Sequence, residues 1–134
     1  VIYPVHPNPR VHDAVTPRLS RHSGITLLPP LNYQELIYLL RRCTLVMTDS
    51  GGLQEEAPSL GKPVLVLREV SERPEAVEAG TAVIVGTRTE EIVARAGALL
   101  DQPDLYQQMA SKSNPYGDGK AAVRIADALL EYAA

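Results

Sequence analysis

Tryptophan and phenylalanine are absent from this 134-residue chain, cysteine occurs once, at Cys43, and six tyrosines are its only aromatic side chains. A lone cysteine can form neither an internal disulfide nor a cysteine-rich zinc site, so a reducing, cytoplasmic setting is expected. With 13 basic against 16 acidic residues and a net charge of −3, the chain lacks the clustered positive excess that binding to a phosphate backbone requires. Six tyrosines are also a thin platform for stacking bases, and nucleic acid is not an expected partner. No apolar run approaches the roughly 18 residues of a spanning helix, and Val1-Ile2-Tyr3-Pro4-Val5 resembles no signal sequence, so no membrane is expected either. The chain starts without Met inside an apolar run and reads as a fragment of something longer. His6, His12, His22 and Asp13 lack metal-ligand spacing, and no metal is expected. Dinucleotide, Walker A, HExxH and GxSxG fingerprints are missing, which removes the main support for oxidoreductase, P-loop, zinc-protease and α/β-hydrolase readings.

What remains is ordinary globular material: 45% hydrophobic and 22% charged residues. Scaling laws give a compact fold of this mass an exposed surface of roughly 6,900 Å² against about 21,000 Å² unfolded, so about two-thirds should be buried. Short, continuous apolar runs at Ile2 to Val5, Ile25 to Leu28, Leu45 to Met47, Val64 to Leu67 and Val83 to Val85 read as strands of a parallel sheet covered on both faces. Between or after them, helical spacing links Leu36, Leu39, Leu40 and Cys43; Ile92, Ala96, Leu99 and Leu100; and Ala122, Ile125, Ala126, Leu129 and Ala133. Helices are expected at about Thr89 to Gln102 and Asp104 to Ser113, with the last one starting near Gly119-Lys120. The alternation predicts an α/β fold, a Rossmann-like parallel sheet with helices on both faces, in one domain over residues 1–134.

The stretch from Leu45 to Pro58 carries the most chemical information. An apolar strand ends in Thr48-Asp49-Ser50, Gly51 and Gly52 follow, and helix formers begin, so the free N–H groups of a helix N-terminus face the carboxyl edge of the sheet. Two residues without side chains let an anion approach, and Ser50 can either cap the helix or donate to the ligand; a plain capped turn is the competing reading. Glu55 and Glu56 suit an early helical turn, and one of them can instead accept from a neutral diol such as ribose. Pro58 requires that the helix be short or kinked. Arg68 and Arg73 leave the same edge after the next strand, either facing the anion or balanced by Glu69, Glu72 and Glu75. His6 and Asn8 are held by Pro7 and Pro9 in a further edge loop. The turn from Asn114 to Gly119 is a loop or a second anion contact.

The run Thr48 to Arg68, with Glu72-Arg73-Pro74-Glu75, Gly80-Thr81, Val85-Gly86-Thr87, Asn114 to Gly119 and the opening Tyr3 to Pro9, closely resembles the bacterial, non-hydrolysing UDP-N-acetylglucosamine 2-epimerase family. The resemblance is collinear over essentially the whole chain. It implies the later part of the second domain of a two-domain, glycosyltransferase-B-like fold. It also implies conversion of UDP-N-acetylglucosamine to UDP-N-acetylmannosamine by elimination and re-addition of UDP, without NAD or an obligatory metal, in cell-envelope polysaccharide biosynthesis. Carried over position by position, Ser50, Gly51 and Gly52 hold the diphosphate, Glu56 accepts from the ribose, Arg73 lies on the ribose and phosphate side, and Leu36 helps form the uracil pocket. His6 resembles a residue near a second, regulatory sugar-nucleotide site. The partners implied are UDP or UDP-N-acetylglucosamine, the missing N-terminal domain with the catalytic carboxylates, and a second subunit in a homodimer.

No catalytic residue is expected within this chain. The resemblance also places a missing central strand between those at Ile2 to Val5 and Leu45 to Met47, so that these strands either rearrange or take a strand from elsewhere. At Ser71 the family more often carries Thr. The alternatives are the nucleotide-sugar domain of a glycosyltransferase of the same architecture and a non-catalytic UDP-sugar-binding module.

Overall fold

The structure, a computed structural model, describes residues 1–133. Each apolar run becomes a strand of three residues, and the chain order is β1 (Ile2–Pro4), α1 (Pro9–Leu19), β2 (Thr26–Leu28), α2 (Tyr33–Arg42), β3 (Val46–Thr48), α3 (Gly51–Ser59), β4 (Val64–Val66), α4 (Pro74–Glu78), β5 (Ala82–Ile84), α5 (Thr89–Asp101), α6 (Pro103–Ala110) and α7 (Ala121–Ala133). All strand pairs are parallel, as continuous apolar runs joined through helices require. The strands form two sheets, of order β1-β2 and β3-β4-β5. Among the described residues no strand of one sheet pairs with a strand of the other, so β1 and β3 are not paired.

The chain divides into two compact units, Val1–Arg41 and the remainder from Arg42. In the first, Ile2 pairs with Thr26 and Pro4 with Leu28. The crossover helix α1 was not expected from the sequence, where Pro7 and Pro9 read as loop. Its start is nevertheless regular: Asn8 accepts the Arg10 N–H at 3.0 Å and Pro9 occupies the first turn, where its missing N–H costs no hydrogen bond. Asn32 and Glu35 close a reciprocal capping box at α2, each side chain accepting the other's N–H, at 2.9 and 3.0 Å.

In the second unit, β4 is central and all three of its residues are buried. Side chains alternate across a strand, so Leu65 faces one side and Val64 and Val66 the other; their complete burial means both faces are covered. Leu65 joins Val85, Leu99 and Met109, with Leu105 and Ile92 alongside, so α5 and α6 cover its face. Helix α3 packs on β3 and β4, and α4 packs on β5. Helix α4 also escaped the sequence reading, because five residues are too few to show a period. Helix α6 begins at Pro103 and ends at Ala110 instead of running from Asp104 to Ser113, since proline opens a helix readily and Ser111 already serves as its cap. As expected from Pro58, α3 is short and ends at Ser59.

The exposed surface is 9349 Å², well above the expected compact value. The excess has a local cause: α7 buries none of its residues, and the first unit buries only Val5 and Leu40 among its hydrophobic side chains. No helix among the described residues is long and apolar enough to cross a membrane.

Candidate nucleotide-binding site

The register fixes where the loops emerge. Thr48, Val66 and Ile84 are neighbours on the last rung of the second sheet, and the next residues continue the pattern, with Leu67 N–H donating to the Thr48 carbonyl at 2.9 Å and Val85 N–H to the Val66 carbonyl at 3.0 Å. The loop into α3 therefore lies beside the loop into α4, and that loop beside the one into α5.

Ser50 is the residue before α3, with extended φ and ψ of −81° and 129°, and its side chain makes no capping hydrogen bond. Its own N–H donates to Thr48 Oγ1 at 3.0 Å, which ties the turn to the end of the strand. The first N–H with a helical acceptor is that of Gln54, on the Ser50 carbonyl at 3.4 Å. Among the described residues the backbone N–H groups of Gly51, Gly52 and Leu53 have no acceptor. With the Ser50 hydroxyl not engaged in capping, three amide donors and a hydroxyl stand at the positive end of the α3 dipole.

Arg73 meets this turn from the neighbouring loop. A Cβ placed on Gly51 would lie 3.0 Å from Glu72 Oε1 and 3.8 Å from Arg73 Nη2, so these two side chains border the glycine. Glu55 on α3 pairs with Arg73 Nε, Arg73 Nη1 donates to the Glu72 carbonyl at 3.1 Å, and Arg68 pairs with the Glu72 carboxylate at 3.3 Å. The hydrogen bond that Arg73 donates to the Glu55 carboxylate, followed by that carboxylate's charge, holds the Arg73 guanidinium in its protonated form even more firmly than usual. Glu69 is not a counterion here; it accepts from the Thr87 N–H and hydroxyl at 3.3 and 3.2 Å. Glu56 is half-buried and has no side-chain partner among the described residues.

The turn after α6 closes on the same helix. Asn114 donates to Ser59 Oγ, and the Tyr116 hydroxyl accepts the Ala76 N–H at 3.2 Å. Burial is the main influence raising the Tyr116 pKa above its ordinary value. This turn thus braces α3 and α4, a role the sequence left open.

The structure brings Ser50, Gly51, Gly52, Glu56 and Arg73 to one sheet edge and its adjoining helix. Leu36, on α2, and His6, after β1, belong to the first unit. His6 is exposed, and its Nδ1 accepts the Asn8 N–H at 3.1 Å. An open groove of about 410 Å³ in that unit is lined by Leu28, Leu31, Gln34, Glu35, Tyr38 and Leu39, with Leu36 not among them. Sequence reasoning passed over Gln54, which is fully buried and hydrogen-bonded at both ends of its amide. Its neighbours Glu55 and Glu56 gave the sequence no signal that this position is buried.

Parallel sheets flanked by helices, with an amide-lined turn at the carboxyl edge, define an α/β protein with a Rossmann-like arrangement. The family model for UDP-N-acetylglucosamine 2-epimerase matches residues 1–130, and the chain belongs to that family. It is 49% identical over 131 residues to the UDP-N-acetylglucosamine 2-epimerase of Campylobacter jejuni, covering 98% of this chain and 34% of that protein. The Escherichia coli K12 protein of the same name is 49% identical over 129 residues, 96% of this chain and 34% of its own length. Among solved structures, UDP-GlcNAc 2-epimerase from Neisseria meningitidis bound to UDP-GlcNAc superposes with a TM-score of 0.92 at 45% identity, over 97% of this chain and 35% of that one. The co-structure of Staphylococcus aureus MnaA with UDP gives 0.92 at 46% identity, over 98% and 36%. The chain therefore spans about a third of the length of these relatives.

Proposed function

We propose that this chain is the UDP-binding portion of a UDP-N-acetylglucosamine 2-epimerase, one that interconverts UDP-N-acetylglucosamine and UDP-N-acetylmannosamine by eliminating and re-adding UDP. The observation that carries the reading is the set of unpaired amides at Gly51, Gly52 and Leu53 beside the Arg73 guanidinium. In this reading Ser50, Gly51 and Gly52 hold the diphosphate. Fixed amide dipoles there favour the charge that builds on the departing UDP, and because they are already oriented, little reorganisation is needed as the bond breaks. Half-buried and without a protein partner, Glu56 accepts from the ribose hydroxyls, whereas Glu55 is committed to Arg73. Leu36 contributes to a uracil pocket and His6 to a regulatory sugar-nucleotide site. Proton transfer at C2 belongs to residues outside this chain.

Both units form one nucleotide-binding domain in this proposal. The setting is the cytoplasm, in cell-envelope polysaccharide synthesis, with the rest of the enzyme and a second subunit as partners. Titration calorimetry with UDP tests the placement. Gly51→Val is expected to weaken UDP binding at least tenfold, because a branched side chain would stand where the phosphate approaches, while thermal unfolding stays cooperative. The crowding atom, Glu72 Oε1, is the end of a flexible side chain and can move aside. Unchanged UDP affinity in Gly51→Val would overturn the placement.

A further inference from the structure

We propose that Gln54 is a positioning residue that sets the Ser50–Gly51 turn and Arg73 at a fixed separation. This rests on the reading of that turn as a diphosphate site. Gln54 is fully buried, yet its amide is satisfied in one direction only. Its Nε2 donates to the Ser50 carbonyl at 3.3 Å, and its Oε1 accepts from the Ser71 hydroxyl at 2.6 Å. Ser71 Oγ in turn accepts the Arg73 N–H at 3.0 Å. A single relay thus runs from the residue before α3, through a side chain on its first turn, to the backbone of the arginine in the neighbouring loop.

Only a primary amide of this length serves both ends. Glutamate has no proton for the Ser50 carbonyl, asparagine is one methylene short, and leucine or methionine leaves the Ser71 hydroxyl without its acceptor. The relay also explains why a polar side chain is tolerated where the helix packs against the sheet: every polar atom has a partner, which removes the penalty of burial. The Ser50 carbonyl takes both the Gln54 backbone and side-chain donors, so the peptide leading into Gly51 is held at its oxygen while the Gly51 N–H has no acceptor among the described residues.

The test uses the 134-residue chain with UDP as probe, read by titration calorimetry, together with the hydrogen-exchange rate of the Arg73 amide, which needs no ligand. Gln54→Leu, close in volume, and Ser71→Ala are each expected to weaken UDP binding about tenfold, and the double variant to lose little more, since both cut one relay. Ser71→Thr, which keeps the hydroxyl, is expected to recover most of what Ser71→Ala loses. In Gln54→Leu and Ser71→Ala the Arg73 amide is expected to exchange faster than in the unaltered chain. UDP affinity within twofold of the unaltered chain in both variants, or additive losses in the double variant, would overturn the proposal. Should Gln54→Leu fail to fold, Ser71→Ala carries the same decision. If the unaltered chain shows no UDP binding, the nucleotide reading is what fails, and the Arg73 amide then decides whether Gln54 positions that loop.

Discussion

Two adjacent glutamates on one helical turn have been given different environments, and the difference is informative. Glu55 faces the α4 loop and pairs with Arg73; Glu56 is half-buried without a partner among the described residues. Glu56→Gln is expected to weaken UDP binding by about 1.5 kcal/mol, near tenfold, as the loss of a charged acceptor implies. Calorimetry should find a smaller effect for Glu55→Gln, which acts only by releasing Arg73; the reverse order would mean that the ribose partner is Glu55. At this scale residue type and position after a strand pointed to an anion turn at Ser50, Gly51 and Gly52, with a plain capped turn as the alternative, whereas Arg73 was singled out through the family resemblance. Residue type did not separate Glu55 from Glu56, because both suit the first turns of a helix equally; the resemblance selected Glu56, and the structure pairs the other, Glu55, with Arg73. Gln54 was illegible for a related reason: a glutamine among glutamates looks like solvent-facing surface until its burial is known.

Among the elements, strands and amphipathic helices were legible because burial leaves a periodic mark, and the runs at Val64 and Leu45 appear where expected. Helices α1 and α4 were not, since one contains Pro17 and opens on Pro9, and the other has only five residues. Helix α7 is secured chiefly at its start. Asp118 accepts the Lys120 N–H at 3.1 Å and pairs with Arg124 through two contacts of 2.8 Å. The Arg124 hydrogen bonds, then the Lys120 N–H, hold the Asp118 carboxyl below its ordinary range. A carboxyl that binds its proton less tightly when folded stabilises above the unfolded pKa, and that support fades as pH falls through the folded value. The first turn of α7 is therefore expected to fray as the pH drops below about 4. Helical circular dichroism and the Lys120 amide shift across that window check this, and Asp118→Ala should abolish the transition.

At the scale of the whole molecule, stability is unevenly distributed. The second unit contains the buried cluster around Leu65, whereas the first rests on a two-stranded sheet and buries little, a combination that is marginal by itself in water. Amides of β2 are expected to exchange with solvent at least tenfold faster than those of Leu65 and Val66, measured by native-state hydrogen exchange. Equal rates would show that the units open together. The fold class was foreseeable from the alternation of apolar runs and helical spacing, whereas the division of the strands into two sheets was left open, because no local pattern fixes which strands pair. The extent of exposure was not foreseeable from composition, since scaling laws assume that every helix finds a covered face, and α7 does not. The chain as a whole carries a charge of −3, and the arginine nearest its candidate anion cradle already has Glu55 as counterion. An arriving diphosphate would therefore trade one negative partner for another instead of neutralising a bare cation, and its affinity should respond only weakly to added salt.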